Sequence, residues 1–205
     1  MMGGRFSDRE KERIRKQLLK TGKEMFSVFG LKKTNIRDLT KAVGIAQGTF
    51  YHFFPSKEAL FFEILEHEEE DVRRNLFADT EGAMTETGLR RFLEKSLSII
   101  ETHPIFSQMF DEEVREQLVR KLPPERLEKH RGADVEVFLP LIRRWQKQGG
   151  MPDLEPELII SVIRSLILLS LQKKLIGEEL YEKTMHLMIR FVAKGLMNAG
   201  EDKHD

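Results

Sequence analysis

The stretch IRDLTKAVGIAQGTFYHFF, residues 36–54, decides the fold. Ile36, Leu39 and Val43 recur at the spacing of one helix face. Thr34 or Asn35 just ahead can accept from an orphan amide, so a short helix starts there. Gly44 follows the last apolar residue, where a left-handed turn ends a helix, and Ile45 is the apolar plug after it. A second short helix begins near Ala46 or Gln47, carries Phe50, Phe53 and Phe54 toward a core, and is halted by Pro55. Two short helices joined through a tight glycine turn make a helix-turn-helix. Such a second helix fits the roughly 12 Å major groove of duplex DNA. Its outer face offers Gln47, Thr49, Tyr51 and His52, and Gly48 lets backbone approach phosphate closely. Tyr51 also reads as a plain surface tyrosine, and His52 as a residue that caps or packs.

Upstream, Ser7 and Glu10 form a capping box, followed by Ile14, Leu18, Met25, Phe26 and Phe29 at helical spacing, with Gly30 as the stop. Lys11, Arg15, Lys16 and Lys23 mark the outward face of that helix. Downstream, Ser56 caps a helix carrying Leu60, Phe61, Ile64, Leu65, Val72 and Leu76. After a polar, turn-like stretch at 78–88, helical patterns cover about 89–101, 104–122, 125–148, 156–176 and 178–199, and a polar tail follows. Neither strand alternation nor a solenoid-period repeat interrupts this. The expectation is an all-α chain of nine or ten helices.

Charge divides the chain. Residues 1–57 hold 13 Lys and Arg against five Asp and Glu, a net +8, so the remainder of a neutral chain carries −8. A basic N-terminal module on an acidic body is the split expected when one end meets a polyanion. Arg5, Arg9, Lys32, Lys33, Arg37 and Lys57 would supply salt-dependent attraction. The absence of cysteine excludes a disulfide scaffold, a Cys-ligated zinc site, an iron–sulfur cluster and a cysteine nucleophile. The start of the chain lacks a signal peptide's apolar core. The greasiest run, residues 158–171, is shorter than the roughly 20 residues of a bilayer span and contains Arg164. A cytoplasmic protein without a membrane segment is expected.

Residues 34–60, and above all GTFYHFFPSKEAL at 48–60, resemble the DNA-binding domain of the TetR (tetracycline-repressor-type) transcriptional regulators. With the first helix included, the resemblance covers about residues 14–65; the rest is similar only in length and helical character. The resemblance implies an N-terminal three-helix DNA-binding domain at 1–55 and a helical ligand-binding and dimerisation domain at 56–205, with helix 56–77 connecting them. It further implies a homodimer and repression relieved by a small molecule. Thr34 and Lys57 match phosphate-contacting positions. Gln47, Thr49 and Tyr51 match positions that meet bases or phosphates, His52 a backbone-contacting one, and Gly48 the glycine between them. Ala46 stands where the family often has Ser or Thr, removing a cap. Gln47 replaces a common Lys, which loses a cation and gains a bidentate partner for adenine.

The two last helices carry more apolar surface than one face of a monomer core needs, which suggests a two-fold four-helix interface. Ser161, Ser165, Leu166 and Leu169 on the first, and Met188, Phe191 and Gly195 on the second, are the candidate dimer residues. The alternative is that both helices fill the monomer core. Phe106, Met109, Phe110, Phe138, Ile142 and Trp145 read either as ordinary core or as the lining of a pocket for a small, largely apolar effector. Arg164 pairs with an acidic side chain or meets an anionic effector. Glu63, His67 and Asp71 share a helix face, but the run reads as a solvated acidic face, and no metal or cofactor is expected. No nucleophile elbow, P-loop, Rossmann glycine pattern or HExxH appears, so no enzymatic role is expected. The expected function is a ligand-released repressor binding an inverted-repeat operator as a homodimer. The alternatives are a helix-turn-helix regulator without a small effector, acting as an activator or through a protein partner, and an enzyme with an appended DNA-binding head.

Overall fold

Local signals set most helix ends in the computed structural model, which describes residues 6–199 apart from 79 and 81, and the side chains of all of these but 78, 131 and 134. Arg5 and the tail from Gly200 therefore lie outside the described residues. Helix α1 (Asp8–Lys33) starts on its capping box: the Glu10 amide donates to the Ser7 hydroxyl (3.3 Å) and the Ser7 amide to the Glu10 carboxylate (2.8 Å). Gly30 breaks it at φ 76° and ψ 166°, and one more turn follows. Then come α2 (Ile36–Val43), α3 (Gln47–Phe50), α4 (Lys57–Ala78), α5 (Glu86–Thr102), a 3-10 turn (Phe106–Phe110), α6 (Glu112–Lys121), α7 (Pro124–Lys147), α8 (Pro156–Ser170), α9 (Lys173–Ile176) and α10 (Glu178–Asn198). No strand occurs among the described residues, and no helix there is long and apolar enough to cross a membrane.

Two expected helices are broken. The pattern at 104–122 divides because Asp111 caps α6, accepting from the Glu113 amide at 3.0 Å. The pattern at 156–176 divides after Ser170, whose carbonyl lies 3.0 Å from the Tyr181 hydroxyl. That hydroxyl also sits 2.6 Å from the Glu101 carboxylate.

The chain forms two compact units. The first runs through Asp71 and takes in His103–Pro123; the second comprises Val72–Thr102 and resumes at Pro124. In the first, Leu18, Phe26, Leu39, Phe50, Leu60 and Phe61 are wholly buried, with Phe26 edge-on to Phe61 at 5.3 Å. A Cβ on Gly22 would fall 2.9 Å from Ile64 Cδ1, so glycine lets α1 and α4 approach closely. In the second, Trp145 is fully buried and edge-on to Phe92 at 5.6 Å, and Phe77 meets Phe138 at 5.4 Å. Gly150 sits so tightly that a Cβ would fall 2.2 Å from the Met84 amide nitrogen.

Helices α8 and α10 pack together, and Ile159 and Ile163 of the one and Met185 and Ile189 of the other are buried in the same core. Their outer faces leave Leu158, Leu168, Leu180, Leu187 and Phe191 exposed, together with Ser161, Ser165 and Gly195. Leu169 and Met188 are half-buried. Leu166, expected at a dimer face, instead turns into the unit's own core at 3% exposure, because its position on α8 is that of Ile159 and Ile163.

Candidate nucleic-acid interface

The helix-turn-helix is built from local hydrogen bonds and one buried stripe. Asn35 caps α2, its side-chain oxygen accepting from the Asp38 amide at 2.9 Å. Leu39 is wholly buried, while Ile36 and Val43 are half-buried. Gly44 adopts φ 77° and ψ 32°; its amide donates to the Lys41 carbonyl (3.3 Å) and the Ile45 amide to the Thr40 carbonyl (3.0 Å). This closes α2 and turns the chain.

Helix α3 has one four-residue turn and no side-chain cap at Ala46, so local propensity cannot hold it. Phe50 does: its full burial contributes about 1.5–3 kcal/mol. Phe50 packs edge-on to Tyr51 at 5.6 Å and beside Phe54 at 5.9 Å, and the Arg15 guanidinium covers Phe54 at 5.3 Å. Arg15 is itself held by Glu63. With the phenylalanines inward, Gln47, Gly48, Tyr51 and His52 are exposed and Thr49 is half-exposed. Tyr51 is 54% exposed despite its ring contact.

Thr34 and Lys57, at positions that the resemblance matches to phosphate contacts, each donate to backbone carbonyls. Thr34 is 2% exposed and its hydroxyl donates to the Gly30 carbonyl at 2.8 Å. The Lys57 ammonium donates to the carbonyls of Leu31 (2.6 Å), Thr34 (2.8 Å) and Lys32 (3.3 Å). Burial pushes its pKa below the usual lysine range, against the pull of Glu58. Both residues thus satisfy carbonyls left open at the end of α1 and fix the link into α2. A third side chain closes the same end. Gln108 accepts from the Leu31 amide (2.7 Å) and donates to the Phe26 carbonyl (3.0 Å).

Of the other expected cations, Lys32 is ion-paired with Glu113 (2.6 Å) and Asp111 (3.1 Å), and its pKa is raised by those hydrogen bonds. Arg9, Lys33 and Arg37 are exposed. An open groove beside α3 is lined by Arg37 and Lys41 of α2, by Gln47 and Tyr51, by the start of α4, and by Lys121 of α6. Lys41 and Lys121 were not singled out from the sequence. Lys121 lies far along the chain, and no local pattern signals its place.

The candidate pocket residues do not share one unit. Phe106, Met109 and Phe110 form the 3-10 turn of the first, where Phe106 stacks on His103 at 4.3 Å. Phe138, Ile142, Trp145 and Arg164 belong to the second. Ile142 and Trp145 are fully buried, and the Trp145 indole N–H has no acceptor among the described residues. No group of three or more His, Cys, Asp or Glu side chains able to hold a metal occurs among the described residues.

Residues 18–64 match the family model of bacterial regulatory proteins of the tetR family. Among curated proteins, the chain is 30% identical over 139 residues to YuxN, an uncharacterised HTH-type transcriptional regulator of Bacillus subtilis strain 168, covering 63% of this chain and 46% of that protein. The chain spans less than half the length of the first curated relatives it matches. Among solved structures, a TetR-family transcriptional regulator from Pectobacterium atrosepticum is similar with a TM-score of 0.74 at 22% identity, over 94% of this chain and 98% of that one. FadR from Bacillus subtilis, solved in complex with stearoyl-CoA, is similar with a TM-score of 0.56 at 17% identity, over 90% and 98%. At these identities the structures speak for the fold alone. The family model, whose matched residues contain the helix-turn-helix built around Phe50, identifies residues 18–64 as a DNA-binding domain of the TetR type.

Proposed function

We propose that the chain is a sequence-specific DNA-binding transcriptional regulator of the cytoplasm, a homodimer that occupies an inverted-repeat operator as a repressor and leaves it when a small, largely apolar effector binds. The observation that carries this reading is the outer face of α3. Gln47, Gly48, Tyr51 and His52 are exposed on a helix held from behind by a fully buried Phe50. In the major groove, Gln47 and Thr49 would read base edges, and Tyr51 and His52 would meet base or backbone. Thr34 and Lys57 act one step back, by holding the α1–α2 link.

Dimerisation rests on the apolar stripes of α8 and α10. Two symmetric copies give two recognition helices, which fit half-sites spaced by about one helical turn or a multiple. The effector would enter the second unit beside Phe138, Ile142 and Trp145. The buried indole N–H of Trp145, which has no acceptor among the described residues, suits a ligand that carries a hydrogen-bond acceptor on an apolar body. Such a ligand shifts the protein off DNA only if it binds the DNA-free form more tightly.

Selection of bound duplexes from a random pool tests the DNA reading, with an enriched inverted repeat as the expected result and no enrichment as the refutation. A thermal-shift screen of small apolar acceptors, run on the wild type and on Trp145→Phe, tests the effector. A stabilising compound that loses its effect in Trp145→Phe supports it. Stabilisation equal in both proteins contradicts the indole's role, and a screen without any stabilising compound favours a regulator lacking a small effector.

A further inference from the structure

The groove beside α3 is completed by a residue from outside the helix-turn-helix. Lys121, the last residue of α6, lines the same groove as Arg37, Lys41, Gln47 and Tyr51. A second contact fixes its place. One turn earlier, Gln117 donates to the buried carboxylate of Glu58 in the first turn of α4. Residues four apart share a helix face, so Lys121 leaves α6 on the side that meets the start of α4.

Charge within the groove selects the occupant. Its lining includes Arg37, Lys41, Lys57 and Lys121 against Asp38 and Glu58. The Lys57 ammonium faces carbonyls, Glu58 is held by Gln117, and Asp38 accepts from Asn35 at 2.7 Å. Arg37, Lys41 and Lys121 are exposed and supply the groove's outward cations.

We propose that Lys121 is a phosphate-contacting residue. When α3 lies in the major groove, the end of α6 delivers an ammonium to the backbone of the same duplex. The proposal rests on the DNA-binding reading above. It assigns Lys121 affinity and register but no base preference, since phosphate carries no sequence information.

The test is fluorescence anisotropy of a 30-base-pair mixed-sequence duplex between 50 and 200 mM KCl, for the wild type, Lys121→Gln, Lys121→Arg and Lys129→Gln. Lys129 is an exposed cation of α7 in the second unit and controls for net charge. Losing one phosphate contact lowers the slope of log affinity against log salt by about 0.9 per chain, so this fourfold salt range weakens Lys121→Gln about 3.5-fold less per chain than wild type. Lys121→Arg and Lys129→Gln keep the wild-type slope. A wild-type slope in Lys121→Gln, or an equal fall in Lys129→Gln, overturns the proposal and leaves the DNA-binding reading intact. A wild-type protein that binds no duplex at 50 mM KCl overturns both.

Discussion

Replacing Lys57 with methionine keeps the apolar stem and removes only the ammonium. Three carbonyls lose their donor, two of them at short range: Leu31 at 2.6 Å and Thr34 at 2.8 Å, with Lys32 more distant at 3.3 Å. A hydrogen bond from a charged donor contributes about 1.5–3 kcal/mol net, so the two short ones together give roughly 3–6 kcal/mol. Against this stands the cost of drawing an ammonium out of water, whose sign is visible in the lowered pKa of Lys57. Setting that cost at about 1–3 kcal/mol leaves a net loss of about 0–5 kcal/mol, centred near 2–3 kcal/mol. For a chain of this size each kcal/mol moves the melting temperature by about 2–4 °C, so DNA-free Lys57→Met melts about 4–12 °C lower. The assay is thermal unfolding followed by circular dichroism, paired with the salt dependence of duplex binding well below the melting point. The expected result is lower stability with an unchanged salt slope. An unchanged melting temperature with a slope reduced by about 0.9 per chain would refute the reasoning, because the ammonium would then belong to phosphate rather than to α1.

Gln47→Ala relaxes base preference at one position per half-site, costing about 1–3 kcal/mol on the preferred base. Binding to a panel of single-base operator variants checks this, and an equal loss on every variant would contradict base readout. Gly44→Ala costs about 1–2 kcal/mol through its left-handed backbone alone, since a Cβ there meets nothing within 4 Å. A loss above about 3 kcal/mol in urea unfolding would require a clash that this site lacks. Phe191→Glu places a charge in the exposed stripe of α10, so sedimentation should report a monomer with native helicity. A dimer of unaltered stability would move the interface elsewhere.

Much of the helix-turn-helix was legible because its determinants are local. The Ser7–Glu10 box, Asn35 before α2, Gly44 after it and the run of phenylalanines each act within five residues of their partners. What sequence reasoning missed is long-range. Lys57 serves the carbonyls of Leu31, Lys32 and Thr34, Gln108 closes the end of α1 from the 3-10 turn, and Lys121 reaches the groove from α6. A motif assigns such side chains a role from their neighbours in sequence, whereas their partners are set by packing. Phe106, Met109 and Phe110 were grouped with Trp145 because all are apolar and centrally placed in the chain, yet the turn that holds them belongs to the first unit. Leu166 shares an apolar helix with the exposed leucines, and its register on α8 sends it inward.

In the proposed complex the outer face of α3 lies in duplex DNA, presented twice by a symmetric pair of chains. Photo-crosslinking measures this directly, with a photoreactive phenylalanine at Tyr51 and, as control, at the exposed Lys174 of α9. The expected result is crosslinks from position 51 at two symmetry-related places on one duplex and none from position 174. Crosslinks at a single place, or none from position 51 while the protein remains bound to DNA, would contradict it.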